Sequence, residues 1–234
     1  RIGYLGERVS RMPKNVANRP DKDERFLRVQ TIIRARYGDP QTVIAYYAKK
    51  GQAMTKVDRL GLAMALGRTN DNAKAREAFE AALREGGDDA LWLREAGRFY
   101  LKVRDFSRAG DVLRRAVQAN PNDMVASAEY AQILAQERRY TEALRLMNRV
   151  SAFAPESPEV RQQLGRIQGE SGDLFHAYLN MAYAAVYSNN PRQSMIQMDK
   201  AKGLAKSEED RKEYAKLEKV FKERSEHWPK GQPF

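Results

Sequence analysis

Between Ala90 and Pro155, two consecutive segments carry the same kinds of residue at the same places, 34 positions apart. The first reads Ala96-Gly97-x2-Tyr100, then Ala109-x3-Leu113-x2-Ala116, then Pro121. The second reads Tyr130-Ala131-x2-Leu134, then Ala143-x3-Met147-x2-Val150, then Pro155. A fixed period of this length constrains a chain strongly. Each unit is one supersecondary element that cannot bury its apolar side alone, so neighbouring units must stack. The spacings of three and four inside each half are helical. Gly97, Ala109, Ala116, Ala131 and Ala143 are small where two helices cross, and Tyr100, Leu113, Leu134 and Met147 fill the space between.

The spacing matches the tetratricopeptide (TPR) pattern, a helix-turn-helix closed by Pro. The register extends in both directions. One period earlier stand Leu62, Ala63, Leu66, Ala75, Phe79 and Ala82, with Gly86-Gly87 in place of the terminal Pro. One period later stand Leu164, Gly165, Ala177, Met181 and Ala184, but Gln168 occupies a place usually held by a large apolar residue. Asp88-Asp89, Asn122-Asp123 and Ser157-Pro158 precede first helices and offer side-chain acceptors to free N–H groups. Asp71, Asp105 and Asp173 do the same for second helices.

The ends are less regular. Phe26, Val29, Ile32, Ile33 and Tyr37 share a helical face, Gly38-Asp39-Pro40 turns the chain, and Val43, Ile44, Tyr46 and Tyr47 mark a second helix. After Pro191, Met195, Met198, Ala201 and Leu204 form one apolar side. Ser207 followed by Glu208, Glu209 and Asp210 then opens a last helix whose stripe is Tyr214, Leu217, Val220 and Phe221. Such a stripe suits a helix that covers the last repeat. The expected fold is all-α: a TPR superhelix, an α-α solenoid of about five to six helical hairpins with a C-terminal capping helix, over residues 24–228. Residues 13–23 read as a polar, Pro-bearing linker and 229–234 as a tail. Ile2, Leu5, Val9 and Met12 share one face of residues 1–12, which Pro13 stops.

Composition narrows the function classes. No apolar run approaches 18 residues, and there is no cysteine, which excludes disulfides and thiolate metal sites. The absence of cysteine fits an oxidising compartment and also permits the cytoplasm. The formal charge is +11, yet residues 61–191 hold 17 basic and 17 acidic side chains. Residues 1–60 hold 14 basic against 6 acidic, and residues 192–234 hold 11 against 8. The excess charge flanks the repeats instead of striping them, so nucleic-acid or anionic-surface binding ranks last. His176 and His227 are the two histidines, and neither has a partner at the i+4 spacing of a helical zinc pair. They read as packed or solvated helix residues. No phosphate loop and no catalytic constellation is present, and no metal site or cofactor is expected in this chain.

What remains is a surface. In stacked hairpins of this type the first helices line a concave groove, and its exposed positions fall one turn apart. These are Arg94, Arg98 and Lys102, then Ala128, Gln132 and Gln136, then Gln162 and Arg166. Long donors there suit the carbonyls or carboxylates of an extended peptide. The alternative is solvated charges on a helix face. The Lys and paired-Asn pattern of carboxylate-clamp repeats is absent, so chaperone tails are not expected.

Arg1-Ile2-x2-Leu5-x-Glu7-Arg8-Val9 resembles the segment that closes the catalytic domain of BepA-like, HtpX-related zinc metallopeptidases. Glu24-Arg25-Phe26 through Tyr37-Gly38-Asp39-Pro40 looks like that family's first helical hairpin. Gly172-Asp173-Leu174-x2-Ala177-x4-Met181-Ala182-Tyr183-Ala184 and Lys222-Glu223-Arg224 are similar to its C-terminal repeats. The resemblance implies a parent that is a periplasmic zinc metallopeptidase of envelope quality control, with residues 1–12 ending an upstream peptidase domain. The H-E-x-x-H helix and its zinc would lie upstream, so no catalytic residue carries over. This chain would recruit substrate or the outer-membrane assembly machinery. The alternative is a free-standing TPR scaffold with no attached enzyme.

Overall fold

The computed structural model describes residues 24–228, which are helical with no strand among them. The readings of residues 1–12, 13–23 and 229–234 lie outside the described residues. The chain divides into two compact units, residues 1–87 and 88–234.

In the first unit α1 (Glu24–Tyr37) and α2 (Pro40–Ala48) form one hairpin, and α3 (Lys56–Leu66) and α4 (Asn72–Gly86) form the next, joined by a short 3-10 turn at Gly51–Ala53. Asp39 caps α2 through Thr42 N–H, and Pro40 supplies a first-turn residue with no N–H to satisfy. Thr55 and Asp58 form a capping box on α3. Val43, Tyr47 and Ala65 make a buried cluster. The apolar face expected of α1 is not its buried one. Phe26, Val29, Ile33 and Tyr37 are exposed, and Thr31 and Ala35 are the buried residues. Small residues let α1 approach α3 closely, which turns the larger side chains outward.

In the second unit three hairpins follow: α5 (Ala90–Lys102) with α6 (Phe106–Ala119), α7 (Met124–Gln136) with α8 (Tyr140–Phe153), and α9 (Pro158–Glu170) with α10 (Leu174–Tyr187). Two further helices close it, α11 (Pro191–Leu204) and α12 (Glu208–Ser225). Each hairpin's two helices pack on each other, and each second helix packs on the next first helix, which is a TPR-like solenoid. The small positions Ala109, Ala116, Ala131 and Ala143 are fully buried, as are Leu113 and Met147. A Cβ on Gly97 would come within 2.5 Å of the Leu113 side chain, so the α5–α6 crossing requires a residue without one.

The caps fall in the expected phase. Asp89, Asp123 and Ser157 accept from first-helix N–H groups, and Asp105 and Asp173 accept from second-helix ones. α8 has Arg139 at this place and no side-chain cap. α12 lays Tyr214 and Leu217 on a cluster with Leu179, Val186, Met198 and Ala201, covering apolar surface of α10 and α11.

Candidate functional site

The first helices α5, α7 and α9 touch in succession. Positions 34 apart therefore align in rows across them. One row is Arg98, Gln132 and Arg166; another is Arg94, Ala128 and Gln162; a third is Glu95, Glu129 and Gln163.

Across α5 and α7 the rows are knit by charge. Arg94 donates from Nε and Nη2 to Glu95 at 3.1 and 3.0 Å, and from Nη1 to Asp123 at 2.9 Å. Arg98 Nε lies 2.9 Å from Glu129 Oε1. Glu129 Oε2 is buried and has no hydrogen-bond partner among the described residues. Burial pushes the Glu129 carboxyl up to about 7; Arg98 and Arg94 pull it down, and Glu95 and Asp123 repel its charge. Arg94 and Arg98 thus hold neighbouring repeats together. Lys102 is exposed at the end of α5.

Between α7 and α9 the surface opens. Gln132, Gln162 and Arg166 converge with Glu159, Gln163 and Met181 around a cavity of about 390 Å³. Arg166 is exposed, and its Nη1 lies 3.6 Å from Glu170. A smaller hollow of about 190 Å³ shares Gln162 and Met181 and runs on to Gln193 and Gln197 of α11. Gln197 Oε1 is buried with no hydrogen-bond partner among the described residues. Gln136 is exposed and lies outside both walls.

The structure therefore brings together Gln132, Gln162 and Arg166 of the seven polar residues singled out, and ties Arg94 and Arg98 into ion pairs. Glu95, Asp123, Glu129 and Gln163 were not singled out. The 34-residue spacing of Glu95, Glu129 and Gln163, beside the row of Arg94, would have found three of them. Among the described residues no group of three or more acidic or histidine side chains could hold a metal ion, and no helix is long and apolar enough to cross a membrane.

Helical hairpins in a fixed period with a lined inner face define a repeat protein of the α-solenoid class. Residues 60–124 and 100–167 each match a model of the tetratricopeptide repeat, so this stretch consists of TPR repeats. No curated protein matches the chain by sequence. Solved structures similar to it include MamA AMB-1, 18% identical, with a TM-score of 0.61 over 70% of this chain and 98% of that one. YrrB, described as a TPR protein with an unusual peptide-binding site, is 18% identical with a TM-score of 0.59 over 78% and 95%. MamA from Desulfovibrio magneticus RS-1 is 19% identical with a TM-score of 0.54 over 72% and 97%. These likenesses establish the fold.

Proposed function

We propose that the chain is a protein-interaction module that takes an extended stretch of another polypeptide along α7 and α9. The observation that carries this is the convergence of Gln132, Gln162 and Arg166 on one open cavity. Glutamine amides donate to and accept from a peptide backbone, and an exposed guanidinium takes a carboxylate in bidentate fashion. Lys102 and Gln136 extend the same face with further donors, whereas Arg94 and Arg98 preorganise it. That YrrB carries a peptide-binding site on the same fold adds support by analogy.

The test is selection of ligands from a random peptide library against the whole chain, followed by titration. Gln162→Ala with Arg166→Ala is expected to weaken selected peptides at least about tenfold, the equivalent of about 1.4 kcal/mol. Peptides that bind this double variant as tightly as the parent would remove the reading.

We further propose attachment to a periplasmic zinc metallopeptidase of envelope quality control, on the resemblance of Arg1–Val9, Glu24–Pro40, Gly172–Ala184 and Lys222–Arg224. A free-standing TPR scaffold fits the comparisons equally well. The coding sequence upstream of Arg1 separates them: an in-frame H-E-x-x-H behind a secretion signal supports the peptidase, and a start codon with no such motif leaves the scaffold.

A further inference from the structure

The groove reading leaves Gln168 unexplained. In the two preceding repeats the same position holds Tyr100 and Leu134, both buried. Here a polar side chain stands in the wall of a third cavity, of about 580 Å³, set between α8 and α10 over the far side of α9. That volume lies within the range of small-ligand pockets.

The polar groups at this wall form an ordered chain. Asn180, 5% exposed, accepts from Arg161 Nη1 at 2.9 Å and donates to Gln168 Oε1 at 2.8 Å and to the His176 carbonyl at 3.1 Å. All of its capacity to donate is used, so it acts as a fixed pivot. Arg161 Nε donates to the Pro155 carbonyl at 2.8 Å, and the guanidinium lies over the Tyr183 ring at 4.7 Å. With its Oε1 taken, Gln168 has one orientation, and among the described residues no acceptor meets its amide N–H groups. The wall thus presents fixed, unused donors beside the apolar side chains of Leu144 and Leu164.

Charge decides which acceptor suits them. Arg161 is the cation. At the rim His176 lies between two carboxylates, Nδ1 2.8 Å from Asp173 and Nε2 3.3 Å from Glu213. Arg161, Asp173 and Glu213 sum to one negative charge with a neutral imidazole and to none with an imidazolium. An incoming anion meets no net attraction in either state.

We propose that this cavity is a second binding site, distinct from the groove, for an uncharged amide carried on a short aliphatic stem. The ligand carbonyl accepts from Gln168 Nε2, and the stem packs on Leu144 and Leu164. Two sources share this chemistry: the side chain of a glutamine in a partner polypeptide, and a free primary amide.

The side-chain amide resonances of Gln168 and Asn180 report on the site directly. Nitrogen-15 correlation spectra of the whole chain are titrated with butyramide and, separately, with butyrate, its charged near-isostere. Butyramide is expected to move both amide pairs saturably, and butyrate to leave them in place. A response to butyrate equal to or larger than that to butyramide, or no response to butyramide, overturns the proposal. Gln168→Glu keeps an acceptor for Asn180 and removes the donor, and Gln168→Leu restores the apolar residue of the earlier repeats. In either variant the shift at Asn180 is expected to vanish, and its persistence in a folded variant overturns the proposal. Blocked Gly-Gly-Gln-Gly-Gly, compared with blocked Gly-Gly-Leu-Gly-Gly, separates the sources. Half-saturation by the glutamine peptide below that of butyramide identifies a polypeptide, and the reverse identifies a free amide.

Discussion

Arg104, Arg138 and Gly172 all have positive φ, 60°, 60° and 93°, and they stand 34 residues apart. Each ends a first helix in a Schellman turn. The next residue's N–H bonds back to Tyr100, Leu134 and Gln168 carbonyls at 2.9, 2.8 and 2.9 Å. Only the last of the three positions carries Gly, so two arginines occupy a left-handed conformation that costs about 1–2 kcal/mol. Arg138→Gly is expected to stabilise the fold by about 1 kcal/mol net of the extra chain entropy, read as a higher urea midpoint with unchanged slope. Glu129 is the second residue with a predictable signature. Its folded value of about 7 lies above the ordinary 4.5. The folded state therefore binds the proton more tightly, and this stabilisation is present in full below about pH 4.5. It is lost as pH rises to 7, by up to about 3 kcal/mol. Urea unfolding across that window should show the decline, and Glu129→Gln should flatten it. An equal slope in both proteins would contradict the buried placement of this carboxyl.

At the scale of elements, the α5–α6 crossing hinges on Gly97. Gly97→Ala forces its Cβ into Leu113, and about 1–3 kcal/mol of destabilisation is expected from overpacking. Thermal unfolding of Gly97→Ala beside Gly97→Ala with Leu113→Ala checks the mechanism, because the second change relieves the clash while opening space of its own. Two energies that simply add would argue against direct contact. Helix pairing of this kind was legible in advance, since small residues at Ala96, Gly97, Ala109 and Ala116 dictate where backbones meet. α1 was not legible in this way. Its apolar periodicity pointed to Phe26, Val29 and Ile33, yet the helix turns Thr31 and Ala35 inward, because periodicity marks an apolar stripe without saying which side a neighbour takes.

At the scale of the molecule, a stack of repeats ends in surface that needs a cover. Deleting α12 removes Tyr214 and Leu217 from the cluster around Val186, Met198 and Ala201. A chain ending at Lys206 is expected to bind the apolar dye ANS and to melt well below the parent. An unchanged melting temperature would show that α12 does not serve as the cap. The groove obeys the same division between element and assembly. The inner row of Arg94, Arg98, Gln132, Gln162 and Arg166 could be read from the period. Which members are free could not, because that depends on the acids Asp123 and Glu129 arriving from the next hairpin.

The 34-residue register, the caps and the small crossing residues determined by themselves that residues 60–167 are TPR repeats within a helical solenoid, because they are local rules repeated in phase. Tertiary structure decided the rest. It paired two of the groove arginines, opened the cavity at Gln162, and gave Gln168 a polar partner in Asn180. Each of those outcomes depends on distances between side chains far apart in sequence, and a one-dimensional period carries no such distances.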